Sequence, residues 1–126
     1  MPGDALLAGQ LITPLAVDAL AAALAGQGIA AEARESSLHT GGRYLRVHAD
    51  PADPADLTLE RIEDDEYLAR GYADVLEPLA AIAGRVSSAL ARLGIRHRLE
   101  LYEDRFPIPV IYLHHQWPQE DAEPAR

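Results

Sequence analysis

The heptapeptide Ala-Leu-Ala-Gly-Gln-Gly-Ile, residues 23–29, returns sixty-six positions later as Ala-Leu-Ala-Arg-Leu-Gly-Ile, residues 89–95, with five of seven residues unchanged. An Ala-Leu run followed by glycine and an aliphatic residue is how a helix stops. Glycine takes the left-handed position just past the last turn, and the residue after it folds back on the helix. Gly28 with Ile29 on Leu24, and Gly94 with Ile95 on Leu90, are therefore expected to be two exits of one design.

The residues around the two exits extend the parallel. Leu20 matches Val86, Ala33 matches Leu99, Leu45 matches Ile111, Val47 matches Leu113 and His48 matches His114, all at the same offset. Upstream of the first exit, Thr13 is expected to cap a helix with Pro14 in its first turn and Ile12 stapled onto Val17. Val17, Leu20, Ala21 and Leu24 would line its buried face. Upstream of the second, Leu68, Tyr72, Val75, Leu79, Ile82, Val86, Leu90 and Leu93 keep helical spacing, with Asp64 or Asp65 as the cap and a kink or split at Pro78.

After each exit comes a strand, a turn and a second strand. Residues 57–62, Leu-Thr-Leu-Glu-Arg-Ile, add one more strand between the units. The predicted fold is α+β in the order α-β-β-β-α-β-β, an antiparallel sheet with helices on one face. Residues 11–117 form the single expected domain. Residues 1–10 are expected to be a flexible N-terminus, and 118–126 a disordered acidic tail.

Charge narrows the partners. The chain carries −9 at neutral pH, and eight of its twenty carboxylates fall between Asp50 and Glu66. Such a field repels phosphate backbones, so nucleic acid is not an expected partner, whereas a basic protein is. No window is apolar for long enough to span a membrane. Asp4 stands where a signal peptide would have a basic residue, and Pro14 and Asp18 interrupt the apolar run. With no cysteine there is no disulfide framework or thiolate site. A cytoplasmic setting is expected.

Strand alternation predicts which side chains face solvent. Ile95, Leu99, Leu101, Ile111, Leu113, Leu45 and Val47 would point inward. Tyr44, Arg46, His48, Arg98, Glu100, Tyr102, Tyr112 and His114 would point out, with Trp117 at the edge. Phe106, in the loop Arg-Phe-Pro-Ile-Pro at 105–109, is a second exposed candidate. Tyr, Trp and Arg are the side chains that anchor protein interfaces. The expected partner-binding set is Tyr44, Arg46, His48, Arg98, Tyr102, Phe106, Tyr112, His114 and Trp117.

Motifs for chemistry are few. His114 and His115 adjoin on one strand and leave opposite faces. His48, His114 and Glu100 could share an ion only if their strands were neighbours, so no metal is expected. Asp50, Asp53 and Asp56 lack the spacing and glycine of a calcium loop. Ser36, Ser37, Ser87 and Ser88 lie outside any nucleophile elbow, and Thr40-Gly41-Gly42-Arg43 is a hairpin turn rather than a phosphate loop. No catalytic residue and no cofactor is expected. In size, acidity and order of elements the chain is similar in format to small bacterial immunity proteins and to secretion chaperones, with no motif that ties it to either. The leading expectation is a non-catalytic protein-interaction domain, with homodimerisation possible. The alternative is a dimeric small-molecule-binding or enzyme domain with its site on the open sheet face around His48, Tyr102, Tyr112 and His114.

Overall fold

The computed structural model describes residues 4–35, 43–47, 55–103 and 107–117. Its elements are β1 (Ala5–Ile12), α1 (Val17–Gly26), β2 (Ala31–Glu35), β3 (Arg43–Val47), β4 (Asp56–Glu63), β5 (Glu66–Ala73), α2 (Leu76–Arg92), β6 (Arg96–Glu103) and β7 (Ile111–His115). The fold is α+β: seven strands make one antiparallel sheet in the order β2-β3-β4-β5-β1-β6-β7, accompanied by two helices.

Both helix exits adopt the expected geometry. Gly28 has φ +83° and Gly94 φ +72°. The Ile29 and Ile95 amides donate to the Leu24 and Leu90 carbonyls at 2.9 Å, and the Gly28 and Gly94 amides to Ala25 and Ala91 at 3.0 Å. These are the paired bonds of a Schellman motif, which satisfy carbonyls that the end of a helix would leave unpaired.

Two strands depart from the predicted order. The segment expected to be a loose N-terminus is β1, and it lies near the middle of the sheet between β5 and β6. Its alternation decides this: Ala5, Leu7 and Leu11 are buried, while Leu6 and Ala8 are exposed. The segment expected to begin the second helix is β5. Leu68 and Tyr72 are four residues apart, a spacing that keeps side chains on one face of a helix and of a strand alike, so helical periodicity did not separate the two. Tyr67, Ala69 and Ala73 are fully buried on the other side. The helix α2 starts only at Leu76, with Val75 in extended conformation before it. Pro78 therefore falls in the first turn, where its missing N–H breaks no helical bond, and no kink follows.

The start of α1 also differs. The cap is Ala16, without a side-chain bond. Thr13 instead receives the Leu15 amide on Oγ1 at 3.3 Å and donates its own amide to the Asp65 carbonyl at 2.9 Å. It ties the end of β1 to the β4–β5 turn. Ile12 ends β1, four residues before the cap and so outside the staple position next to it.

Cross-strand register places Ala33, Leu45, Leu59, Ala69, Gly9, Leu99 and Leu113 in one row across the sheet. This face carries the core. Val17, Leu20 and Leu24 of α1 and Leu79, Ile82, Val86 and Leu90 of α2 join it in one buried cluster. The helix α1 contacts β2 and β3, and α2 contacts β6, β7, β1, β5 and β4. At Gly9 an added Cβ would meet the Arg98 carbonyl oxygen at 2.3 Å, so β1 and β6 approach more closely there than any side chain allows. Among the described residues no helix is long and apolar enough to cross a membrane.

Candidate binding face

The other face of the sheet is lined by the alternate residues. Tyr72, Leu6 and Tyr102 stand opposite one another on β5, β1 and β6. Leu6 is 49% exposed, Tyr72 41% and, just before β7, Val110 43%. Leu6, an apolar side chain half open to water on a central strand, lies between two tyrosines. The Val110 amide donates to the Leu101 carbonyl at 2.8 Å, which brings this end of the last strand against β6.

Beside this row runs a polar chain. Glu66 accepts from Gln10 Nε2 at 2.6 Å, and Gln10 Oε1 accepts from Arg98 Nε at 3.1 Å and Nη2 at 2.8 Å. Arg98 stands 3.9 Å from Glu100, which in turn accepts from the Tyr102 hydroxyl at 3.0 Å. Burial and the Glu100 carboxylate both push the Tyr102 phenol up from its ordinary value of 10.0. The chain holds side chains of three strands in fixed positions before anything binds.

Trp117 covers the end of this network, with its ring 4.8 Å from the Arg96 guanidinium and 5.0 Å from that of Arg98. Simple alternation from His114 would send residue 117 to the core side. Gln116 reverses it: its φ of +56° is left-handed, an uncommon conformation for a residue with a side chain. The turn swings Trp117 onto the outer face, where cation–π contact with two arginines holds it. Tyr112 and His114 stack alongside, ring centroids 4.7 Å apart. Burial raises the Tyr112 phenol while Arg98 opposes the shift. Its hydroxyl and Arg96 Nε are buried without a hydrogen-bond partner among the described residues.

The expected site residues thus fall into three groups. Arg98, Tyr102, Tyr112, His114 and Trp117 gather on β6, β7 and the turn that follows. Tyr44 and Arg46 share the face but sit on β3, four strands from β6, or about 19 Å at normal strand spacing. Arg46 is bound to Asp56 at 2.8 Å. His48 and Phe106 lie outside the described residues. No family model, curated protein or solved structure matches the chain.

Sequence reading missed Leu6, Gln10 and Tyr72, which complete the face, because β1 and β5 were not expected as strands. It also missed Gln116, for which no sequence signal exists. A buried polar pair was missed too. His97 is fully buried, opposite His115 on β7 with ring centroids 6.1 Å apart. A carbonyl can only accept, so His97 Nδ1 carries the proton and donates to Ile95 O at 2.9 Å. Nε2 then accepts from the Ser87 hydroxyl at 2.8 Å. Burial holds the imidazole below its ordinary 6.5, and His115 and His114 push in the same direction. Ser87 and His97 both lie within the core, so the pair fills hydrogen-bonding capacity rather than offering a nucleophile to solvent. Among the described residues no group of three or more His, Asp or Glu side chains is placed to hold a metal.

Proposed function

We propose that the chain is a small acidic cytoplasmic domain that holds a protein partner, without catalysis, on the open face of its sheet. The observation that carries this reading is the outer-face row of exposed Tyr72, exposed Leu6 and partly covered Tyr102, extended by exposed Val110 and bordered by the Arg96–Trp117–Arg98 stack. An apolar centre with aromatic and arginine anchors and a polar rim is the composition of a protein interface. The anchors are also held in place: Arg98 by Gln10, Tyr102 by Glu100, and Trp117 by two guanidinium groups. Side chains ordered in advance lose less freedom on binding. A net charge of −9 favours a basic partner.

Two hollows lie away from this face, one between Gln27, Ile29 and α2, another at the β4–β5 turn. A sheet face with ordered aromatic and arginine anchors favours a protein over a small molecule.

The test is affinity capture with the wild type beside Leu6→Glu and Tyr102→Ala, two substitutions on the exposed side of the sheet. A stoichiometric protein partner should be retained by the wild type. Each variant should lose about tenfold or more in affinity while its melting transition is preserved. Equal retention by all three would remove the face from the interaction.

A further inference from the structure

The two strands that end the sheet are built differently. On β2, Glu32, Arg34 and Glu35 put charge on three of five positions, and Arg34 pairs with Glu32 at 2.7 Å. Charges along a strand are a common guard against edge-to-edge pairing. Strand β7 is Ile-Tyr-Leu-His-His, and from Val110 to Trp117 the chain has no Asp, Glu, Lys or Arg. It ends the sheet, and among the described residues it carries no charged side chain to guard the edge.

We propose that two copies of the chain join through β7, antiparallel and edge to edge, so that their sheets run on as one. Three observations argue for a second copy as the occupant. First, a chain of charge −9 repels itself wherever carboxylates meet, and β7 is the sheet edge that has none. Second, the core side of β7 is unfinished. Leu99 and Leu101 of β6 are fully buried, yet Leu113 and Ile111, opposite them in register, are only partly covered.

Third, the strand is complementary to itself. Full overlap of a five-residue strand with its antiparallel copy has one centre, Leu113. Tyr112 then stands opposite His114 of the second copy, and His114 opposite that copy's Tyr112, all on the outer face. On the core side Leu113 meets Leu113, flanked by Ile111 against His115. No like charges face each other at neutral pH, and aromatic cross-strand pairs of this kind are favourable. The dimer rests on the strand edge and not on partner binding; its consequence is one continuous face with an Arg96–Trp117–Arg98 stack on either side of the dyad.

Light scattering on the eluting protein over a concentration series tests the assembly, and paired substitutions test the register. The wild type should have twice the chain mass. Tyr112→Glu with His114→Glu sets carboxylates against carboxylates twice across the dyad and should weaken the dimer by about thirtyfold. Tyr112→Arg with His114→Glu sets Arg against Glu twice and should keep it. Backbone amide exchange gives a readout that needs no variant: β7 amides should gain protection with protein concentration, and β2 amides should not. A monomeric wild type, a Glu/Glu variant that stays folded and dimeric, a folded Arg/Glu variant that is monomeric, or concentration-dependent protection at β2 in place of β7 would each overturn the proposal. None of these readouts involves a partner protein, so a failed dimer and a failed binding face are told apart.

Discussion

The two helix–strand units share an exit and little else. Each ends its helix on a left-handed glycine with the following isoleucine bonded to the last buried leucine. Yet α1 covers β2 and β3 with three buried residues, whereas α2 reaches over β6, β7, β1, β5 and β4 with seven. At the same offset of sixty-six, Ala21 and Ala31 of the first unit stand where the second has Ser87 and His97. The two units thus share local punctuation while the packing around it differs. The strength of a unit is set by what its helix lies on, not by how the helix stops.

That contrast can be broken most directly in the core. Leu24 and Leu90 are equivalent, both fully buried and both acceptors of the exit bond. Leu90→Ala should destabilise by about 4 kcal/mol and Leu24→Ala by about 2–3 kcal/mol, because the wider packing around α2 has less freedom to collapse on a cavity. Urea titration of both variants measures this. A larger loss at Leu24 would mean that the first unit is the stronger.

The polar pair sharpens the contrast through pH. His97 is held below 6.5 in the folded chain, so the unfolded chain takes up the proton first. The stability linked to this group is complete above 6.5 and is lost as pH falls through that value towards the lower folded one. Unfolding midpoints between about pH 5 and about pH 8 should show that fall in the wild type. Ser87→Ala combined with His97→Leu makes the second unit apolar like the first and should flatten it. A slope unchanged by the double substitution would assign the pH dependence to other groups.

The smallest effect concerns what the units share. Neither glycine at the exits has an atom near an added Cβ, so only backbone strain is at stake. Gly28→Ala and Gly94→Ala should each cost about 1 kcal/mol, and by similar amounts. Thermal melts that differ clearly between them would show that the exits are not equivalent after all.

Sequence alone went furthest where chemistry is local. The exits, the inward Leu99, Leu101, Leu45 and Val47 and the outward Arg98, Tyr102, Tyr112 and His114 follow from glycine geometry and alternation. It went astray where two periods agree: Leu68 and Tyr72 suit either a helix or a strand, and only the buried Tyr67, Ala69 and Ala73 between and beside them decide. β1 was illegible for another reason. A short Ala-Leu-Gly stretch acquires meaning only from the strands on either side, both distant in sequence. The exposed row of the binding face contains two residues from these strands, so its centre was hidden while its flank on β6 and β7 could be read.

The position of β1 has a consequence for how the molecule comes to be folded. Ala5 lies opposite both Ala73 and Glu103, so β1 is the hub that β5 and β6, later in the chain, must find. During synthesis it emerges with neither neighbour yet made, and the edge that pairs with β6 stays open until that strand has left the ribosome. Contacts spread this widely along a chain slow folding relative to a helical protein of equal size. An unpaired strand held open for that time is also a place where wrong pairings start. Six of the eight residues of β1 are apolar, so early pairing with β5 is what takes this strand out of reach of wrong partners.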